Sequence, residues 1–128
     1  MEDFEAFRIS MDIRECYETL HGDFDQACAR LMNERMVTRF VLKFPSDPSM
    51  QQLREAVAAG DNERAFRAAH TLKGVAGNLS FTALYQAAST LTEQLRPLSD
   101  PADRILLAAL EREYQRTLEV ICRLSASI

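Results

Sequence analysis

Ala68-Ala69-His70-Thr71-Leu72-Lys73-Gly74-Val75-Ala76-Gly77-Asn78-Leu79-Ser80 is the stretch that decides how this chain folds. On a helical wheel at about 100° per residue, Ala65, Ala69, Leu72, Ala76 and Leu79 fall within about 40° of one direction, which is a core-facing stripe. From that direction Lys73 lies about 80° away, Gly77 about 120°, His70 about 140° and Gly74 about 180°. The histidine, the lysine and both glycines therefore share an outward face. The stretch predicts a helix with a polar, partly bare outer surface.

Outward from this helix, the rest of the chain is helical in pattern too. The four glycines and four prolines fall almost entirely at punctuation points, and no alternating β-branched run marks a strand. A short helix is expected over about 11–20, capped by Ser10, with Ile13, Cys16, Tyr17 and Leu20 inward. A long one follows from Phe24 to Lys43, and its broad apolar stripe takes Met32 and Met36 as core fillers. Pro45 and Pro48 stop it. A shorter helix over about 49–59 ends at Gly60, and Asp61 caps the helix running from Asn62 to Leu79. The next helix, about 81–96, has the seam Leu84, Ala88, Leu91, Leu95. Ser99-Asp100-Pro101 then opens the last one, about 101–125, with Leu107, Leu110, Tyr114, Thr117, Ile121 and Leu124 on one face. The pattern predicts an all-α, antiparallel four-helix bundle with an additional short N-terminal helix, as one domain over 1–128.

Composition narrows the function. Hydrophobic residues make up 47% of the 128, enough for a core. A formal net charge of −4 speaks against a nucleic-acid partner, which calls for a basic patch. No run approaches the roughly 20 apolar residues of a spanning helix. The opening MEDFEAFRIS carries acids where a secretory signal carries bases and an apolar run, so a cytoplasmic protein with no membrane partner is expected. Cys16, Cys28 and Cys122 lack metal-ligand spacing and are expected to be reduced small hydrophobes. His21, in a turn-like His-Gly-Asp, is expected at the surface.

The chemistry concentrates at residues 70–77. Each glycine inside an exposed helix costs roughly 1 kcal/mol against alanine, so two within four residues call for a reason. Helical side chains lean toward the N-terminus, so a side chain at 74 would cover His70, and one at 77 would crowd Lys73 and Gly74. Leaving both bare keeps the imidazole open to another molecule. Imidazole is largely neutral at pH 7 and nucleophilic. Lys73, at i+3, brings an ammonium to phosphoryl oxygens arriving there. Phosphoryl transfer needs in-line positioning and charge compensation more than covalent work. The patch has no general acid–base pair and no metal cluster, which suits a carrier whose partner supplies the metal, with no cofactor of its own. The same residues also fit a surface histidine on a helix whose glycines serve packing.

His70-Thr71-Leu72-Lys73-Gly74, continued by Val75-Ala76-Gly77-Asn78-Leu79, resembles the signature of histidine-containing phosphotransfer (HPt) domains. Ala58-Ala59-Gly60-Asp61, Ala68-Ala69, and Leu84, Ala88 and Leu91 are similar to the family as well. The architecture matches over roughly 11–125, with the specific part in 58–91. The resemblance implies a bacterial-type two-component phosphorelay. His70 would be the phosphoacceptor through Nε2, Lys73 would support the phosphoryl charge, and Gly74 and Gly77 would give access. It implies receiver domains of response regulators, from a hybrid or separate sensor kinase, as partners of a monomeric carrier. One departure is Ser80, where the family usually has glycine; Ser80 either takes the turn conformation itself or caps the next helix. Phe66, between core and patch, either packs against a neighbouring helix or belongs to a docking surface together with Arg64 and Arg67. Those arginines are solvated charges or steer an acidic receiver site. Asn78 is expected to serve the helix end. A docking module that carries no phosphate, and the phosphoacceptor module of a larger chemotaxis-type kinase, are the competing functions. No ATP-binding glycine-rich segment is present, so no kinase activity of its own is expected. The starting Met1 and short tail favour a free-standing protein.

Overall fold

Asp12, Asp23, Asn33, Asp61 and Asp103 each accept a hydrogen bond from a backbone N–H three residues on, and each opens a helix. The structure is a computed structural model that describes residues 11–128. These caps start α1 (Ile13–Thr19), α2 (Phe24–Leu31), α3 (Glu34–Lys43), α5 (Asn62–Asn78) and α7 (Arg104–Ala126). The remaining two, α4 (Ser49–Ala58) and α6 (Thr82–Leu95), start without a side-chain cap, after Pro48 and Phe81. A 3-10 turn, Phe44–Ser46, follows α3 and carries Pro45 in its first turn. Among the described residues there is no strand.

The fold is the all-α antiparallel bundle predicted, with α1 as its short N-terminal addition. Helix α5 is the centrepiece, packing most extensively on α6 and α4, while α6 packs on α7. The α4–α5 link is Ala59-Gly60-Asp61. Gly60 takes the left-handed φ of +69° at the end of α4, as its sequence position predicts. The predicted seams are the core: Leu53, Leu72, Leu84, Leu91, Leu95 and Leu110 are buried. Each such leucine contributes about 1.5–3 kcal/mol of apolar burial.

The N-terminal helices are tied to the far end of α5. Tyr17 is buried between the rings of Phe24 and Phe81 and donates from its hydroxyl to the Leu79 carbonyl at 2.7 Å. The Asp23 N–H donates to the Ser80 carbonyl at 2.9 Å. Gly22 lets these backbones meet: a Cβ there would lie 2.8 Å from both the Ser80 carbonyl oxygen and the Tyr17 ring.

Four expectations need correction or placement. The predicted continuous helix 24–43 is two helices, broken where Met32 takes φ 92° and Asn33 caps α3 through Met36 N–H. An apolar stripe does not reveal such a break, but an Asn before Glu34 does supply the cap. Met32 consequently points outward, 82% exposed, and Met36 is half-buried, so neither is a core filler. Helix α7 starts at Arg104 with Asp103 as its cap, three residues after the predicted Asp100-Pro101 start. The Asp103 carboxylate accepts from both Ile105 and Leu106 N–H groups, and Gln94 holds the Asp103 N–H and the Pro101 carbonyl. The predicted Ser10 cap lies outside the described residues. Asp12 caps α1 instead, in a capping box with Glu15. The three cysteines are free, as expected, with Cys16 buried, Cys28 half-buried and Cys122 exposed.

Candidate functional site

Ala65, Ala69, Leu72 and Ala76 bury the inner face of α5, and this fixes which residues of the same helix face outward. His70 and Gly74 are exposed, one turn apart, and Lys73 is half-buried beside them. A Cβ added at Gly74 would meet no other heavy atom within 4 Å, so the space over the turn that carries His70 is open. Gly77 stands differently. A Cβ there would lie 3.2 Å from Cδ1 and 3.3 Å from Cε1 of Tyr85 on α6. Gly77 thus makes room for a neighbouring ring, a packing role where the sequence suggested access.

Helix α6 forms one wall of the patch. The Phe66 ring sits 6.0 Å from the His70 ring, tilted by 42°. Over Phe66 lies the Arg96 guanidinium, 5.2 Å from the ring centroid. Arg96 is held by Glu93 in a two-pronged pair, Nε and Nη2 at 3.0 and 2.7 Å from the carboxylate oxygens. The Arg96 hydrogen bond holds the Glu93 carboxyl below the usual carboxylate range, with the positive charge of Arg96, Lys73 and His70 adding to it. The Lys73 ammonium lies 5.9 Å from the centroid of Tyr85. Phe66 is half-buried and packed against the core, with Arg96 from the end of α6 over its ring, which is the packing setting of the two the sequence left open. The exposed Arg67 pairs with Glu63 at 3.3 Å, while Arg64 is exposed near the start of α5. Both line a shallow cavity of about 250 Å³ with Gln52, Ala68 and Thr71, on the flank of α5 away from α6.

Further along that flank, an apolar groove of about 430 Å³ runs between α2, α3 and the C-terminal half of α5. Leu31, Phe40, Phe44, Val75 and Leu79 line it, with Lys43 and Asp47 at its edge.

The end of α5 answers the question Ser80 posed. Ser80 is buried and takes φ 54°, the left-handed region where glycine is at ease. It does not cap α6, whose N-cap is Phe81. Its hydroxyl donates to Gln26 Oε1 at 2.8 Å and accepts from Arg30 Nη1 at 3.0 Å. Arg30 also donates to the Gly77 carbonyl. Asn78 is the last residue of α5 and is exposed.

Sequence reasoning missed Tyr85, Glu93, Arg96 and Arg30. A faint signal existed for two of them. Tyr85 and Arg96 both lie about 100° to the same side of the Leu84–Leu95 seam, on the flank that turns out to face α5. Nothing in the sequence pointed to Glu93 or Arg30.

No helix among the described residues is long and apolar enough to cross a membrane. A family model described as Hpt domain matches residues 35–120. No curated protein and no solved structure matches the chain.

Proposed function

The chain belongs to the Hpt domain family, whose members are phosphocarriers of two-component systems that interact with receiver domains, and from that premise we propose that it carries a phosphoryl group on His70 between receiver aspartates. The observation that carries this reading is the exposed His70 imidazole beside the empty position at Gly74. In the forward step the His70 Nε2 lone pair attacks the phosphorus of an aspartyl phosphate. The N–P bond forms as the acyl P–O bond breaks. The aspartate leaves as a carboxylate with the bonding pair, and the proton stays on Nδ1. Transfer to a second aspartate is the reverse step. Lys73, one turn along the same face, compensates charge on the transferring phosphoryl oxygens. The partners are response-regulator receivers of a hybrid or separate sensor kinase, met in the cytoplasm by a monomeric carrier. Gly74 leaves the approach open, and Phe66, Arg64 and Arg67 contribute to docking.

The test is transfer from phosphorylated receivers to wild type and to His70→Gln. His70 is exposed, so the substitution is expected to leave the thermal melt unchanged and to abolish acid-labile phosphate uptake. Uptake retained by His70→Gln, or mapped to His21, overturns the assignment.

A further inference from the structure

Arg96 is poised over the patch in a way its bond to Glu93 does not explain. The pair is i,i+3 on one helix and more than half exposed on both sides, a setting in which ion pairs are weakly held. Yet the guanidinium is laid on the Phe66 ring at 5.2 Å, and Phe66 lies against the His70 ring at 6.0 Å. The aromatic ring thus bridges the arginine of α6 to the nucleophile of α5. Glu93, on the same helix, is close enough to feel the charges of both Lys73 and His70. So, apart from Arg67, which pairs with Glu63 one turn before His70, the face carries Lys73 and Arg96, and the Glu93 carboxylate engages the latter.

Building on the His70 reading, we propose that Arg96 is the second cation of the phosphoryl site, occupied by Glu93 when His70 is bare and transferred to the phosphoryl oxygens when His70 is phosphorylated. The exchange is one of like geometry. A carboxylate and a phosphoryl group both present two oxygens to the arginine fork. The phosphoryl group carries up to two negative charges against one for the carboxylate, so it is the stronger occupant. Phe66 supplies the platform on which the guanidinium moves between the two without leaving an aromatic face. Lys73 sits on the other side, near Tyr85, so the phosphoryl group is met by one cation along α5 and one across from α6. Arg96 here is a binding residue for the phosphorylated state. Glu93 is its competitor, and its displaced carboxylate returns to solvent.

The full-length protein phosphorylated with phosphoramidate tests this without any receiver. In that loading step the P–N bond of the donor breaks, ammonia leaves, and the N–P bond to His70 forms. The phosphoryl group is then titrated by phosphorus NMR at low ionic strength, and the side-chain carboxyl of Glu93 by carbon NMR before and after loading. A cation beside a phosphoryl group favours its dianion, so Arg96→Ala is expected to raise the phosphoryl pKa by about half a unit to one unit. Glu93→Gln releases Arg96 and is expected to shift it the other way, and Arg96→Lys to keep most of the wild-type value. In wild type, loading is expected to move the Glu93 titration back toward the ordinary carboxylate range. The new charge on His70 also acts on Glu93 directly, so the loading shift of Glu93 is compared between wild type and Arg96→Ala, where only that direct effect remains. An Arg that merely packs on Phe66 and stays with Glu93 gives the same loading shift in both. Equal Glu93 loading shifts, with the phosphoryl titration unchanged in Arg96→Ala and Glu93→Gln, overturn the exchange while leaving His70 as acceptor. Phosphorus NMR that shows no phosphohistidine at 70 in wild type overturns both.

Discussion

Tyr85 lies against Gly77 so closely that a Cβ at 77 would come within 3.2 Å of its ring, whereas one turn away Gly74 faces open space. Two glycines that look alike in sequence therefore answer different needs. Substitution separates them. Gly74→Ala is expected to gain up to about 1 kcal/mol from helix propensity. Gly74→Leu keeps much of that gain but leans over His70, so the melting temperature holds while transfer from a receiver falls sharply. Gly77→Leu must displace Tyr85 and is expected to lose about 1–3 kcal/mol by overpacking. Paired thermal melts and transfer assays decide; a Gly74→Leu protein that is as stable and as fast as wild type would falsify the access role of Gly74.

Lys73→Ala removes charge and no bond-forming atom. Transfer from a receiver to His70 is expected to slow by about 10- to 100-fold without being abolished. Single-turnover rates measured over a range of salt check it. Rates equal to wild type at every salt concentration make Lys73 an ordinary surface cation.

Ser80 holds a left-handed backbone at φ 54° and bonds to Gln26 and Arg30. A non-glycine residue in that region costs about 1–2 kcal/mol, and the hydroxyl bonds offset it at about 0.5–1.5 kcal/mol each. Ser80→Ala keeps the backbone cost and loses the bonds, so it is expected to be destabilised by about 1–2 kcal/mol. Ser80→Gly loses the bonds but relieves the backbone, and its stability is expected to stay within about 1 kcal/mol of wild type. Urea melts of the two variants rank them. Equal stability of Ser80→Ala and wild type shows that the hydroxyl network contributes nothing.

Burial pushes the Cys16 thiol up to about 11 from 9.0, and burial also raises the Tyr17 hydroxyl. Both groups are neutral below their ordinary values, so neither makes stability pH-dependent there. Above pH 9 the unfolded chain releases the Cys16 proton while the folded chain keeps it. Stability is therefore expected to fall as pH rises through 9 to 11, with Tyr17 extending the loss upward. In Cys16→Ala the alkaline slope of melting temperature should be shallower. A slope identical to wild type shows that Cys16 is not part of it. Thiol reagents under native conditions should label the exposed Cys122 and spare Cys16.

The sequence by itself determined the helical class, the inner face of α5 and the outward placement of His70, Lys73 and Gly74. These follow from a period of 3.6 residues and from glycine and aspartate at helix ends, which are local properties. The break at Met32 and the late start of α7 were local as well, but Asn33 and Asp103 compete with other plausible caps, and the apolar pattern does not choose between them. What only the tertiary structure decided are the relations across helices. Gly77 meets Tyr85, Arg96 reaches Phe66 from α6, and Arg30 and Gln26 support a serine in a glycine's conformation. Each of these depends on the rotation and offset of one helix against another, which are set by how the buried side chains interlock. A wheel fixes the angle of a residue on its own helix, but not what stands opposite.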